Sequence, residues 1–170
     1  MNPFACPRQA DILSSRATTV PFTHGPFTDR RIAMPINDNA RKLEQAFVTW
    51  HVTKGRSTDI WLDLMAEDVR FHSLAGGAPG AEFTVECRSR ADFVRYLDGL
   101  TKDWEMIHYE TSVFAADGDR VVMLGSTAWR NRRTGKVVDT PKADLVTFRD
   151  GRIVDFTEFY DTAKLFAAAA

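Results

Sequence analysis

The chain has no apolar run near the ~20 residues that a membrane-crossing helix needs, so no membrane partner is expected. It has no excess of one charge: 22 Lys and Arg stand against 23 Asp and Glu, for a net charge of −1. That balance removes the bulk attraction by which proteins hold nucleic acid or an anionic surface. Cysteine is scarce, with only Cys6 and Cys87. Two cysteines make no disulfide framework, and a reducing cytoplasm is the default setting. The four histidines (His24, His51, His72 and His108) have no metal-type spacing and no paired cysteines beside them, so no metal is expected. Ala75–Gly80 is glycine-rich but lacks the pattern of a phosphate cradle, and no nucleophile elbow is present. Nothing calls for a cofactor.

Aromatics, by contrast, are plentiful. Four tryptophans and twelve phenylalanines in 170 residues suit a large core or an aromatic-lined cavity. Residues 1–33 hold Pro3, Pro7, Pro21 and Pro26 and show no helical or strand period. They lack the apolar core of a signal peptide, although their arginine excess leaves a transit peptide conceivable. The reading is a disordered tail over 1–36, or a chain that properly starts at Met34, with one domain over 37–170.

Within the body, Asn37-Asp38 caps a helix carrying Leu43, Phe47 and Trp50, and Gly55 ends it. A second helix runs from Ser57-Thr58 to about Asp68 with Ile60, Trp61, Leu64 and Met65 on one side. Val69–Leu74 alternates like a strand, and Phe83–Cys87 reads as a further short one. Ser89 caps a third helix presenting Phe93, Tyr96, Leu97 and Leu100. Four strands follow, over 106–114, 121–131, 137–148 and 153–160, punctuated at Asp117-Gly118, Thr134-Gly135 and Asp150-Gly151. Helices first and long strands after predict an α+β cone, with helices on one face of a curved antiparallel sheet. The strands are apolar or small on both faces. The second face therefore needs a partner, and a homodimer is expected.

The last hairpin carries the chemistry. Lys142, Asp144, Glu158 and Asp161 lie among Phe148, Ile153, Phe156, Phe159 and Tyr160. A charge on the inner face of a curved sheet must be paired or serve a pocket. Alternation groups Glu158 with Phe156 and Tyr160. If that face is concave, a carboxylate loses hydration against rings and becomes a usable general base with a raised pKa. Otherwise Glu158 faces outward, or simply pairs with Lys142 across the sheet. Lys142 and Asp144 share a face, as a pocket dyad or an exposed pair. His72 is the histidine best placed to titrate at a cavity wall. Tyr96, Trp104, Trp129 and Tyr160 are candidate cavity liners, whereas Trp50 and Trp61 read as core. Arg130, Arg132, Arg133 and Lys136 cluster at a hairpin tip, solvated or attracting an anion.

Four stretches then resemble the nuclear-transport-factor-two-like superfamily, and within it the SnoaL-like polyketide-cyclase branch. They are Phe47–Trp50 with Trp61–Phe71, Ala115–Trp129, Ala143–Ile153 and Phe159–Asp161. The resemblance covers about 39–166 and implies the cone fold. It does not fix a reaction, because the superfamily holds isomerases, cyclases, epoxide hydrolases, dehydratases and non-enzymatic adaptors. It implies an acid/base carboxylate seven residues after the hairpin glycine, which is Glu158 here, and a pocket histidine seven residues before it, where this chain has Asp144. For the ketosteroid isomerases of the same fold it puts the catalytic aspartate at Ser73 or His72 and the oxyanion tyrosine near Val48, which argues against that reaction. Two functions follow as expectations. One is a cofactor-free lyase, isomerase or hydrolase acting on a hydrophobic, carbonyl-bearing or polycyclic small molecule, with Glu158, Asp144 and His72 as catalytic candidates and Tyr96, Trp104, Trp129, Lys142, Phe156 and Tyr160 binding it. The other is a non-catalytic ligand-binding or assembly module using the same cone.

Overall fold

The computed structural model describes residues 37–170, and the tail assigned to 1–36 lies outside the described residues. The first helix, α1 (Asp38–Val52), starts where the Asn37 side chain accepts a hydrogen bond from the amide of Ala40. It ends at Lys54 and Gly55, both in the left-handed region. Its buried side carries Leu43, Phe47 and Trp50. The second helix, α2 (Asp59–Leu64), is shorter than the sequence suggests, because Met65 already begins β1 (Met65–Ser73). Phe83–Cys87 is not a strand. It is a short 3₁₀ turn (Glu82–Thr84) whose exit pairs Cys87 with Phe71 by a single antiparallel bridge. Helix α3 (Arg90–Asp103) starts at Ser89, whose hydroxyl accepts from the amide of Asp92.

The long strands follow: β2 (Trp104–Asp117), β3 (Arg120–Asn131), β4 (Val137–Arg149) and β5 (Arg152–Tyr160). The sheet order is β1-β5-β4-β3-β2. β1 runs parallel to β5 and the other neighbours are antiparallel. The β4–β5 turn is a two-residue loop in which Asp150 (φ 53°) and Gly151 (φ 73°) are both left-handed. That is the type I′ geometry an Asp-Gly pair favours, because its twist matches the twist of the strands. A last helix, α4 (Thr162–Ala169), follows β5; the alanine-rich end gave no turn signal of its own. Asp161 belongs to this helix as its N-cap, accepting from the amide of Lys164. The hairpin-tip cations serve α4 too. Arg133 and Lys136 donate to the carbonyls of Ala169 and Ala167, and the Thr134 hydroxyl donates to that of Ala168. They satisfy the orphan acceptors of a helix end rather than await an anion.

One side of the sheet curls around α1 and α3. Val121, Met123, Val146 and Ile153 on this concave face are fully buried. The rings of Phe47, Trp61, Tyr109, Phe71 and Phe156 interlock above them, with Phe47 edge-on to Trp61 at 4.9 Å and stacked on Tyr109 at 5.1 Å. Leu124, Val113 and Phe159 stay exposed on the convex side.

Candidate functional site

The concave face holds a partly open cavity of ≈ 90 Å³. More than half of its lining residues are aromatic, with Trp50, Trp61, Phe93, Trp104, Trp129 and Phe156 among them. Trp50 and Trp61, which the sequence assigns to the core alone, are therefore liners as well. At roughly 10–15 Å³ of such space per water, it has room for several waters or a small ring system. Leu165 of α4 and Phe83 of the 3₁₀ turn also line the cavity.

The sequence-predicted polar residues mostly meet here. Among the described residues lining the cavity, Lys142 and Glu158 are the only charged ones. Lys142 Nζ lies 2.6 Å from Glu158 Oε2 and 3.1 Å from Asp144 Oδ1. The contact to Asp144 is an ion pair without hydrogen-bond alignment, since Oδ1 has no hydrogen-bond partner. Tyr96 Oη donates to Glu158 Oε1 at 2.8 Å, and Tyr109 Oη donates to Asp144 Oδ2 at 2.9 Å. Tyr160 Oη shares a 2.6 Å hydrogen bond with Ser73 Oγ. The Lys142 ammonium also sits 5.4 Å from the centre of the Tyr160 ring and 5.8 Å from that of Tyr109, within cation–π range.

Glu158 thus faces into the cone, as alternation requires, but it is not a lone carboxylate against rings. The alternatives that the sequence left open, pocket carboxylate and partner of Lys142, hold together. Asp144 has no exposed surface and does not line the cavity; it stands behind Lys142. Burial is the largest influence on it and pushes its carboxyl up to about 6, against the pull of Lys142, with the nearby charge of Glu158 adding to the rise. Burial alone would lower Lys142, but the two carboxylates outweigh it and hold the ammonium above the usual lysine range. Burial, then the adjoining carboxylates, raise the hydroxyls of Tyr96 and Tyr109 well above the usual tyrosine value. Tyr160 is pushed up to about 12, mainly by burial. The three tyrosines are therefore proton donors, not phenolates, at any ordinary pH.

His72 does not join the cluster. In β1 the buried positions are Val69, Phe71 and Ser73, so His72 points to the convex side, where its ring nitrogens lie 3.8 Å from Asp155 and 3.9 Å from Glu86. Ser73 takes the inward position. Val48, where the resemblance would put an oxyanion tyrosine, is exposed on α1. Trp104 and Trp129 line the cavity, and the Trp129 indole donates to Thr127 Oγ1 at 2.7 Å.

Tyr109 escaped the sequence reading for a physical reason. Trp104 and Met106 face inward, and strict alternation would send Tyr109 outward. A register shift between Met106 and His108 inserts one residue and reverses the parity, turning Tyr109 onto Asp144. Only the tyrosine itself, a ring in an otherwise polar stretch, gave a hint.

Residues 44–156, about two thirds of the chain, match the model of the SnoaL-like domain. The chain belongs to that family. Among solved structures it is similar to a nuclear-transport-factor-two-like protein of unknown function from Burkholderia pseudomallei (TM-score 0.68, 18% identity, covering 79% of this chain and 98% of that one). It is also similar to a protein from Jannaschia described as a SnoaL-like polyketide cyclase (TM-score 0.64, 17% identity, covering 79% and 94%). A third similar structure is TerC co-crystallised with polyporic acid (TM-score 0.64, 18% identity, covering 77% and 97%). At these identities the likeness concerns the fold. Among curated proteins none matches this chain. The family model and these neighbours agree with the cone read from the sequence, and SnoaL-like folds bind small hydrophobic molecules. No helix among the described residues is long and apolar enough to cross a membrane.

Proposed function

We propose that this SnoaL-like protein is a cofactor-free isomerase or lyase that moves a proton on a compact, hydrophobic, carbonyl-bearing substrate. The observation carrying this reading is the junction of Glu158 and Lys142 at the polar end of an aromatic cavity. A ring or chain carbonyl packed against the tryptophans would present its α-carbon to Glu158. The carboxylate takes the α-proton. The C–H electron pair moves into an enolate whose oxygen accepts from Lys142 or Tyr160. An ammonium has three N–H groups, and only the one donated to Glu158 Oε2 is taken as a hydrogen bond, which leaves N–H groups for the substrate. The proton returns to another carbon, or a leaving group departs. Asp144 touches no substrate in this scheme; it is a positioning residue that steadies Lys142. Two fold neighbours, one described as a SnoaL-like polyketide cyclase and one in complex with polyporic acid, support a carbonyl-bearing ligand.

One observation favours the non-catalytic module instead: both oxygens of Glu158 are already engaged, by Tyr96 and by Lys142. Deuterium exchange separates the two. Small aryl ketones and enones are incubated with the protein in D₂O and followed by NMR. Exchange at the α-carbon with wild type and its loss in Glu158→Gln supports catalysis. Binding without exchange assigns the cone to ligand storage. No binding of any such compound overturns both readings.

The reading includes a homodimer joined through the convex face, where Leu124 and Phe159 remain 43% and 40% exposed. It also includes a reducing, cytoplasmic setting, supported by the free thiol of buried Cys87.

A further inference from the structure

One ammonium and two carboxylates meet at the inner end of the pocket. Lys142, the only cation among the described residues lining the cavity, is bracketed by Glu158 in front and Asp144 behind. Asp144 is fully enclosed, so water does not screen its charge. The groups that face Asp144 from the neighbouring strands and from α3 add no second cation. Tyr109 donates to it from β2, Met123 opposes it on β3, Glu158 opposes it on β5, and Tyr96 of α3 stands beyond Glu158. The cationic handle is thus overcompensated before any ligand arrives.

We infer that Asp144 sets the charge class of the ligand, making the cone select neutral carbonyl-type compounds and reject their anionic isosteres although a lysine stands in its wall. The inference rests on the small-molecule reading of the cone and adds the substrate class to it. A neutral substrate keeps the charge of the site constant through the proposed proton transfer, because one negative charge only moves from Glu158 to the enolate oxygen. An anionic ligand would add a second uncompensated charge beside two carboxylates in a largely aromatic pocket, where such a charge is costly. Neutralising Asp144 should remove that penalty and free Lys142 to receive an anion.

Methyl phenyl sulfone and benzenesulfonate make a suitable probe pair, alike in shape and differing by a charge that does not titrate. Calorimetry or ligand-observed NMR would follow both on the full chain. At pH 8 the wild type is expected to bind the sulfone at least about tenfold more tightly than the sulfonate. The gap should close in Asp144→Asn at pH 8. It should also close in the wild type at pH 5, where Asp144 takes up a proton, which requires no variant and covers the case of a poorly folded one. Equal binding of the pair at pH 8, or a gap unchanged both at pH 5 and in a folded Asp144→Asn, overturns the inference while leaving the small-molecule reading intact. Binding of neither probe to the wild type removes the small-molecule reading itself, and this inference with it.

Discussion

Lys142 reaches Glu158 diagonally. The β4–β5 register puts Tyr160 opposite Lys142 and Asp144 opposite Glu158, yet Lys142 Nζ stands 2.6 Å from Glu158 Oε2. The ammonium therefore leans back over its own strand and sits between both carboxylates. The energetics of the site follow from this arrangement. Taking the ammonium away leaves two carboxylates buried without compensation, which costs more than the intact cluster does.

Lys142→Met is accordingly expected to destabilise the fold by about 3–5 kcal/mol, the usual cost of stranding buried charge. Adding Asp144→Leu in the same chain should recover part of that loss, because it removes one stranded carboxylate along with its desolvation. Urea denaturation of the single and double variants checks both. A Lys142→Met protein as stable as the wild type would show that the ion pair contributes nothing.

Asp144 gives a pH dependence of definite sign. Its carboxyl is raised in the folded state, from 3.8 to about 6. The folded protein thus holds the proton more tightly than the unfolded chain. The associated stability is fully present below about pH 4 and is lost as the pH rises through about 6. The two values imply a change on the order of 3 kcal/mol across that window. Asp144→Asn lacks this dependence. Its stability relative to wild type should therefore improve between pH 4 and pH 7, which parallel melts of the two proteins would reveal. A constant difference would contradict the buried, raised carboxyl.

For Glu158→Gln the fold should persist, because the amide oxygen can still accept from Lys142, its NH2 can donate to the Tyr96 hydroxyl, and Asp144 still compensates the ammonium. The α-proton exchange proposed above should fall by roughly 10²–10⁴, the usual contribution of a positioned general base. Unaltered circular dichroism together with unaltered exchange would remove Glu158 from the chemistry.

Gly125 is a steric requirement rather than a flexible hinge. It faces Lys142 across the β3–β4 ladder, and a Cβ built on it would lie 2.0 Å from the carbonyl oxygen of Glu110. The β2 backbone approaches this closely at its second register shift, between Thr111 and Val113. Gly125→Ala should consequently cost several kcal/mol, on the order of 3, through forced backbone displacement. A melting temperature within a degree or two of wild type would mean that β2 can yield there.

The proposed dimer makes a separate demand on the convex face. Leu124→Asp combined with Phe159→Asp should give a monomer by light scattering without changing the circular dichroism, since both residues are exposed outside the core. A wild type that is already monomeric at micromolar concentration would remove the dimer.

Legible in the chain alone were the first three helices, β1 and the four long strands, the caps at Asn37 and Ser89, the Asp-Gly turn, and the alternation that groups Glu158 with Phe156 and Tyr160. These are local matters of turn geometry, capping and side-chain period, which a chain carries without knowing its neighbours. The 3₁₀ turn at Glu82–Thr84, α4 and the composition of the site depended on packing. The register shift after Met106 brought in Tyr109, and the parity of β1 exchanged Ser73 for His72. Lys142 and Asp144 could have been an exposed pair until the sheet curled around α1 and α3. Burial then raises the Asp144 carboxyl, and the two carboxylates hold Lys142 in its charged form. Period and propensity are read one strand at a time. Parity across a bulge and the charge balance of a cavity depend on several strands at once, so no single segment encodes them.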